Sequence, residues 1–216
     1  MGNNHTIIVR MKYKDPEKFQ WRLDFFKVNV LPRLLQQTRQ DFDILILCNP
    51  EHQSIIESLH PRIKTFNTNV PISGDEGYNK KSGESNSVEP FYYSLPYKIQ
   101  SRLDSDDIIS LDYVKIVRKA LKRAKHFSVV AFKPYRFNWF KFKTFYIHPK
   151  DGRYDKSQFI TIYDPKGTRF VYEMGHRKWA DHVKHVKVID FGHAWLSYHG
   201  NNASTKPKPL DEEVLK

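Results

Sequence analysis

Three carboxylates within four positions are the part of this sequence with the clearest chemical potential. They lie in the segment 101–110, where Arg102 precedes Asp104, Asp106 and Asp107 and apolar residues flank them. If a buried strand ends here, alternation places Asp104 and Asp106 on one face and sends Asp107 to the other. Two carboxylates on one face can bind a hard divalent cation such as Mg²⁺ or Mn²⁺, which prefers oxygen ligands and keeps positions open for phosphate.

The motif alone is weak evidence for a metal site. An acidic turn leading into the next helix explains the same residues, with Asp107 ordering that turn. At ordinary aspartate usage, an Asp-x-Asp triplet occurs by chance in about half of all chains of this length. The choice between the two interpretations therefore depends on the strands and helices predicted around the motif.

The first third of the chain predicts an alternation of strands and helices. Runs of β-branched and apolar residues predict strands at 6–11, 43–48 and 62–66. A helix begins at Asp15 and Pro16, with a break or kink expected at Pro32, and a second helix is predicted over 51–59. This alternation is typical of an open parallel sheet that binds ligands at the carboxyl ends of its strands.

No glycine-rich phosphate loop follows the first strand. A nucleotide bound at this edge would need its phosphates neutralised in another way, and a metal held by carboxylates would do that.

The rest of the chain predicts more varied structure. Residues 67–89 form a long polar loop, either an active-site lid or an ordinary insertion. Segment 91–100 is expected to be partly helical, Ser110 to cap a helix, and 128–132 and 183–191 to form strands. The aromatic-rich region up to residue 172 predicts antiparallel hairpins with turns at 151–152 and 166–167.

Together these elements predict a single α/β domain over residues 1–203, with an open, mostly parallel sheet, flanking helices and an antiparallel C-terminal part. Residues 204–216 are expected to form a flexible tail.

The charge balance narrows the class of partners. The formal net charge is +12, which favours nucleic acid, an anionic membrane face or phosphate-bearing substrates, although solvated helix faces also carry such charge. The single cysteine excludes an internal disulfide and a cysteine-rich zinc site. No run reaches the length of a membrane span and no signal sequence is evident, so we expect a cytoplasmic protein.

Three segments resemble a known family of enzymes. Segment 30–43 is similar to its "Pro, Leu, Gln-Thr, Asp-Phe" region, 102–107 to its "Arg-Leu-Asp-x-Asp-Asp" signature, and 194–202 to its "Trp-Leu-x-x-His-Gly-x-Asn" segment. The family is that of the "putative rhamnosyltransferases", which are nucleotide-sugar glycosyltransferases of the GT-A type. The three segments occur in the family's order, and together they are far more specific than one Asp-x-Asp triplet.

The resemblance implies roles for individual residues. Asp104 would contact the nucleotide ribose or the metal, and Asp106 would ligate Mn²⁺ or Mg²⁺ on the sugar diphosphate. His199 would be the C-terminal metal or diphosphate contact that closes the site. Arg10 would lie near the nucleotide, and Arg102 near its phosphates or base.

The catalytic base is less well defined, because segment 174–181 matches the family only loosely. Inversion at the anomeric carbon requires a carboxylate that accepts the proton of the acceptor. Asp181 and Glu173 are the candidates, with Asp181 preferred. Either residue could instead be a surface carboxylate paired with lysine, and a retaining reaction needs no such base.

The function expected from the sequence is metal-dependent transfer of a sugar from a nucleotide-diphosphate donor. The acceptor is open between a glycan, a lipid-linked saccharide and a modified DNA base. Two other functions compete with it: a non-catalytic nucleic-acid-binding module, and a metal-dependent nuclease that uses Asp104, Asp106 and His199 with Asn201.

Overall fold

A computed structural model describes residues 4–67, 95–139, 143–146, 157–173, 175 and 178–199. The predicted loop at 68–89, the predicted turn at 151–152 and the predicted tail from 204 lie outside the described residues. Within them, no helix has the length and apolar character needed to cross a membrane.

The first third has the predicted alternation, with strand limits within one residue of those expected. The strands are β1 (His5–Arg10), β2 (Asp43–Cys48) and β3 (Ile63–Asn67). The helices between them are α1 (Pro16–Phe25), α2 (Leu31–Leu35) and α3 (Gln53–Glu57). Asp15 caps α1 as predicted, since its Oδ1 accepts hydrogen bonds from the backbone N–H groups of Glu17 and Lys18 at 3.0 and 3.2 Å.

Pro32 does not break the first helix. A π-helical stretch, Phe26–Val30, joins α1 to α2, and the backbone N–H of Leu31 donates to the carbonyl of Phe26. Proline lacks an N–H group and its ring clashes with the carbonyl four residues earlier. The wider π turn removes that conflict, so the chain stays helical and keeps Phe26 and Val30 buried.

The second half supplies eight strands and two helices within the described residues. The helices are α4 (Tyr113–Leu121) and α5 (Trp179–His182). The strands are β4 (Ile99–Asp104), β5 (Ile108–Ile109), β6 (Ser128–Phe132), β7 (Tyr135–Asn138), β8 (Lys143–Tyr146), β9 (Ile160–Tyr163), β10 (His185–Ile189) and β11 (Ala194–Tyr198).

Three details of the sequence prediction are wrong. Residues 95–98 are not helical, and residues 99–100 begin β4. Asp112, not Ser110, is the N-cap of α4, and the carbonyl of Ser110 accepts a hydrogen bond from the N–H of Tyr113. The turn at Gly167, which has a φ of +67°, is present, but no strand follows it to complete a hairpin.

The main sheet has seven strands in the order β10-β6-β9-β4-β1-β2-β3. All neighbours are parallel except β9, which is inserted antiparallel between β4 and β6. A second sheet has the order β5-β11-β7-β8, in which β11 is parallel to β7 and the other pairs are antiparallel. The predicted fold class, an open and mostly parallel sheet with an additional C-terminal β part, is confirmed.

Apolar side chains cover both faces of the main sheet. On one face, Ile7 and Val9 pack in a cluster with residues of α1 and α4. On the other face, Ile8 packs in a cluster with Tyr172 and Trp179. Because both faces are covered, a ligand can reach the central strands at their ends, where a site can form.

A buried histidine at the start of β1 should make stability depend on pH. The Nε2 atom of His5 lies 2.9 Å from Oγ of Ser101 on the neighbouring strand. Burial, with a smaller contribution from the charge of Arg118, lowers the pKa of His5 from 6.5 to about 3. The native state therefore holds His5 neutral, whereas the unfolded chain takes up a proton below its ordinary pKa.

We expect the free energy of unfolding to fall by up to about 1.4 kcal/mol per pH unit from this residue as pH drops from about 6 towards 4. Urea unfolding across this range measures the slope, and His5→Gln should reduce it. The matched control, His182→Gln, changes an exposed histidine and should leave the slope as in the wild type. Equal slopes in the wild type and His5→Gln would contradict this assignment.

Candidate active site

The candidate site begins at the carboxyl ends of two central parallel strands. Asp104 is the last residue of β4, and Arg10, the last residue of β1, is its register partner. The side chain of Asp104 is 33% exposed, while its Oδ1 atom is buried and has no hydrogen-bond partner within the described residues. This edge therefore presents a partly exposed carboxylate, whose buried Oδ1 lies on the side of Arg102.

A tight turn follows Asp104 and buries the next carboxylate. The backbone N–H of Asp107 donates to the carbonyl of Asp104 at 3.1 Å. Asp106 is 5% exposed, and its Oδ2 atom accepts a hydrogen bond from Nε2 of His199 at 2.8 Å and forms an ion pair with Nη1 of Arg22. Burial pushes the pKa of Asp106 upward, but the hydrogen bond of His199 and the charge of Arg22 hold that pKa below its ordinary value. Asp106 is therefore an anion with two committed partners.

Arg22 is the site residue that sequence reasoning missed. It is buried in α1, and its guanidinium carbon lies 5.5 Å from the ring centroids of both Tyr13 and Trp21. The available signal was its position three residues after Phe19, on the inward face of an amphipathic helix. A cation placed there needs a buried anion as partner.

His199 connects the end of β11 to α1. Its ring centroid lies 4.2 Å from that of Trp21 and 5.5 Å from that of Phe25. The structure brings His199 to Asp106, and the predicted role of His199 as a metal or diphosphate contact stays a prediction. The Arg22–Asp106–His199 network therefore joins the first helix, the acidic turn and the last strand.

Asp107 contacts the second sheet. Because β4 ends at Asp104 and a turn follows, strand alternation does not determine the direction of this side chain. Its Oδ1 atom accepts a hydrogen bond from the backbone N–H of Ser197 in β11 at 3.2 Å. Burial, together with the charges of Asp106 and Asp104, raises the pKa of Asp107 well above its ordinary value. Asp107 fixes the turn against the second sheet.

Arg102 lies buried close to Asp104. Its guanidinium carbon lies 4.4 Å from the ring centroid of Tyr172, and its Nη2 atom is 3.9 Å from Oδ1 of Asp104. The Nη1 atom of Arg102 is buried without a hydrogen-bond partner within the described residues. The hydroxyl of Tyr172 donates to the carbonyl of Leu103 at 2.9 Å. A buried cation with an unused donor is thus held beside the available carboxylate.

The two candidate bases lie in different surroundings. Glu173 is buried, forms an ion pair with Arg169 and accepts a hydrogen bond from the N–H of Phe170 at 3.1 Å. Burial raises the pKa of Glu173. Asp181 is exposed on α5. None of these contacts of Glu173 includes Asp104 or Asp106, and the role of base stays a prediction for both residues.

The residues supply only part of a metal coordination sphere. Within the described residues, no group of three or more histidine, cysteine or carboxylate side chains is arranged to hold a metal ion, so Asp104, Asp106 and His199 are not a preformed three-ligand cluster. Mg²⁺ in phosphate-transferring sites is commonly bound through one or two carboxylates, with substrate phosphates completing its coordination. Asp104, whose side chain is 33% exposed, fits that mode.

Comparison with known proteins identifies the family. A family profile described as "Putative rhamnosyl transferase" matches residues 4–211. The chain belongs to this family. The family prediction from the three sequence segments is therefore confirmed. No curated protein matches the sequence.

Solved structures show the same fold. Staphylococcus aureus TarS 1–349 in complex with UDP-GlcNAc superposes with a TM-score of 0.57 at 13% identity, covering 91% of this chain and 59% of that one. The complex of TarS 1–349 with UDP gives 0.56 at 14% identity, covering 90% and 60%. A longer TarS structure gives 0.54 at 12% identity, covering 90% and 37%. This rhamnosyl transferase family member thus has a GT-A glycosyltransferase fold and spans well under two thirds of the TarS chains.

The ion pair between Arg22 and Asp106 should dominate the stability of the site. Arg22→Met leaves a buried carboxylate with one partner and should lower the free energy of unfolding by about 3–5 kcal/mol. The double variant Arg22→Met/Asp106→Asn should be less destabilised than the sum of the two single variants, because it leaves no uncompensated charge. Urea unfolding of the wild type, Arg22→Met, Asp106→Asn and the double variant gives the coupling energy of the ion pair. Additive effects of the two substitutions would contradict the pairing.

Proposed function

We propose that this family member transfers a sugar from a nucleotide-diphosphate donor bound at the carboxyl ends of β1 and β4. The observation that carries the proposal is the partly exposed carboxylate of Asp104 beside the guanidinium group of Arg102, whose Nη1 has no hydrogen-bond partner among the described residues. The register also places Arg10 at this edge. Such a pairing of carboxylate and guanidinium groups suits a metal-bound diphosphate, which offers only acceptor oxygens.

The comparisons support a nucleotide-sugar donor. The chain belongs to a family described as rhamnosyl transferases, and TarS, which shares the fold, has been solved with UDP and with UDP-GlcNAc. In a transfer of this kind the leaving group is a nucleoside diphosphate, on which negative charge develops. Cationic groups placed at that charge before the reaction lower the barrier. Arg102 and Arg10 are the side chains proposed for this task.

We assign the cation, Mn²⁺ or Mg²⁺, to Asp104. When bound, the ion would act as a Lewis acid on the diphosphate oxygens. Asp106 also belongs to the proposed donor site, but its Oδ2 atom is engaged by Arg22 and His199. We therefore propose that Asp106 and His199 order the turn that presents Asp104.

For an inverting reaction we retain Asp181 as the proposed base. The carboxylate of Glu173 is engaged by Arg169 and by the backbone N–H of Phe170. That engagement fits a structural role for Glu173. Asp181, by contrast, is exposed on α5, where an acceptor could reach it.

The acceptor is proposed more broadly, as a glycan, a lipid-linked saccharide or a DNA base. The net charge of +12 favours an acceptor that carries phosphate. A nuclease would need Asp104, Asp106 and His199 to meet on one metal, and the described residues form no such cluster. A nucleic-acid-binding role without catalysis would give no function to the partly exposed carboxylate of Asp104 at the end of β4.

Donor binding can be tested by thermal unfolding with UDP, TDP, GDP and CDP, each with and without Mn²⁺. A preferred nucleotide at about 100 times its Kd should raise Tm by about 5–10 °C, and the rise should depend on the metal. Asp104→Asn should abolish the metal-dependent part. Asp190→Asn, the matched control, removes an exposed carboxylate near Lys133 and should retain the full shift.

A result in which no nucleotide gives a metal-dependent shift would contradict the proposed donor site. A full metal-dependent shift in Asp104→Asn would contradict the assignment of the ligand.

The choice of base predicts a different effect for each carboxylate. Asp181→Asn should lower kcat by roughly 10²–10⁴-fold, while the thermal shift by nucleotide is retained. Glu173→Gln should lower the free energy of unfolding through loss of the Arg169 ion pair, with kcat kept within about tenfold. Donor turnover with a mixed panel of saccharide acceptors gives kcat. Loss of kcat in Glu173→Gln alone would reverse the assignment.

A further inference from the structure

A basic groove lies between the end of α4 and the edge strand β10. It has a volume of about 490 Å³, and Val129 and Val130 of β6 are among its lining residues. Six basic side chains line it: Arg123, Lys125, His126, Lys184, His185 and Lys187. All six are exposed. We call this set the basic groove.

The positive charge of the basic groove is not compensated locally. No aspartate or glutamate in the described part of the chain lines it. Within the described residues, none of its four lysine and arginine side chains forms an ion pair, whereas Lys115 and Arg118 earlier on α4 pair with Asp112 and Asp41. The rings of His126 and His185 stack within the groove at a centroid distance of 5.7 Å. The groove thus offers donors and positive charge with no carboxylate to receive them.

The basic groove and the proposed donor site lie at opposite ends of the strands. Strands β6 and β4 run in the same direction, because β9 is antiparallel to both. The groove is lined by the first residues of β6, and Asp104 is the last residue of β4. A ligand in the groove is therefore not the donor diphosphate.

We propose that the basic groove binds a chain of linked phosphates, such as a phosphodiester polymer. The cations come from two chain segments and are spread along the groove, so they match a ligand that carries charge at every repeat. A single phosphate would favour donors that converge on one buried point. The concave shape also differs from the projecting apolar anchors that peripheral binding to an anionic membrane uses.

The proposal goes beyond the donor site and does not depend on it. Binding to linked phosphates releases condensed counterions, so affinity should fall steeply with salt. The exposed cations tolerate substitution, because they contribute little to the core. Groove variants should therefore lose affinity for the polymer while keeping their fold and their response to nucleotide.

The test compares binding of a fluorescein-labelled single-stranded DNA oligonucleotide by fluorescence anisotropy. The groove variant is Arg123→Glu/Lys187→Glu, and the matched control, Lys27→Glu/Arg33→Glu, makes the same charge change on exposed residues of the first helical segment. We expect roughly tenfold or greater weakening in the groove variant, together with a shallower salt dependence, and only a small change in the control. Inorganic polyphosphate should compete with the oligonucleotide.

Three results would overturn the proposal. Equal losses in the two double variants would make net charge, and not the groove, the cause. Competition by poly-glutamate as effective as that by polyphosphate would assign the groove to acidic polypeptides. Unchanged binding in the groove variant would remove the site altogether.

Two further measurements separate groove binding from other effects. If charge reversal prevents folding, the neutral variant Arg123→Gln/Lys187→Gln takes its place. This variant should also bind the oligonucleotide more weakly than the wild type. The Tm shift by nucleotide with Mn²⁺ should be unchanged in the groove variants, so failure of the donor site and failure of the groove remain distinguishable.

Discussion

A buried carboxylate must be paired, and this requirement organises the candidate site. Asp106 is 5% exposed and receives Arg22 from α1 and His199 from the end of β11. Removing Arg22 leaves the charge of Asp106 uncompensated in a medium that solvates it poorly, and removing His199 takes away a hydrogen bond, so the acidic turn depends on both α1 and the end of β11. The adjacent Asp107 adds a second link, since it binds the backbone of Ser197. The acidic turn is therefore fixed from two directions, and Asp104 is held at the end of β4.

This arrangement divides the work among the three aspartates. Asp106 and Asp107 are occupied by protein partners and order the turn. Asp104 alone keeps a buried oxygen without a hydrogen bond within the described residues, next to Arg102. The motif that the sequence presents as a pair of equivalent metal ligands is thus built from residues with different tasks. The basic side chains also differ in their surroundings. Lys115 and Arg118 pair with carboxylates, whereas no carboxylate of the described residues lines the basic groove.

Local patterns predicted what depends on local physics. The Asp15 cap, the apolar spacing of α1 and the strand limits at 43–48 follow from the residues themselves, and the family followed from three segments in order. Non-local pairing was beyond this reasoning. The antiparallel insertion of β9 depends on partners in β6 and β4 that lie 29–64 residues earlier, and the strand assignment of Ile99 depends on Tyr163, 64 residues later. Arg22 was missed because its anionic partner lies 84 positions later, and only the tertiary fold brings them together.

The most direct measurement is anomalous scattering from crystals grown with Mn²⁺ and the nucleotide that gives the largest thermal shift. We expect a manganese peak beside Asp104 and the diphosphate, with Arg22 and His199 still bound to Asp106. A manganese ion held between Asp106 and His199, with Arg22 displaced, would contradict it.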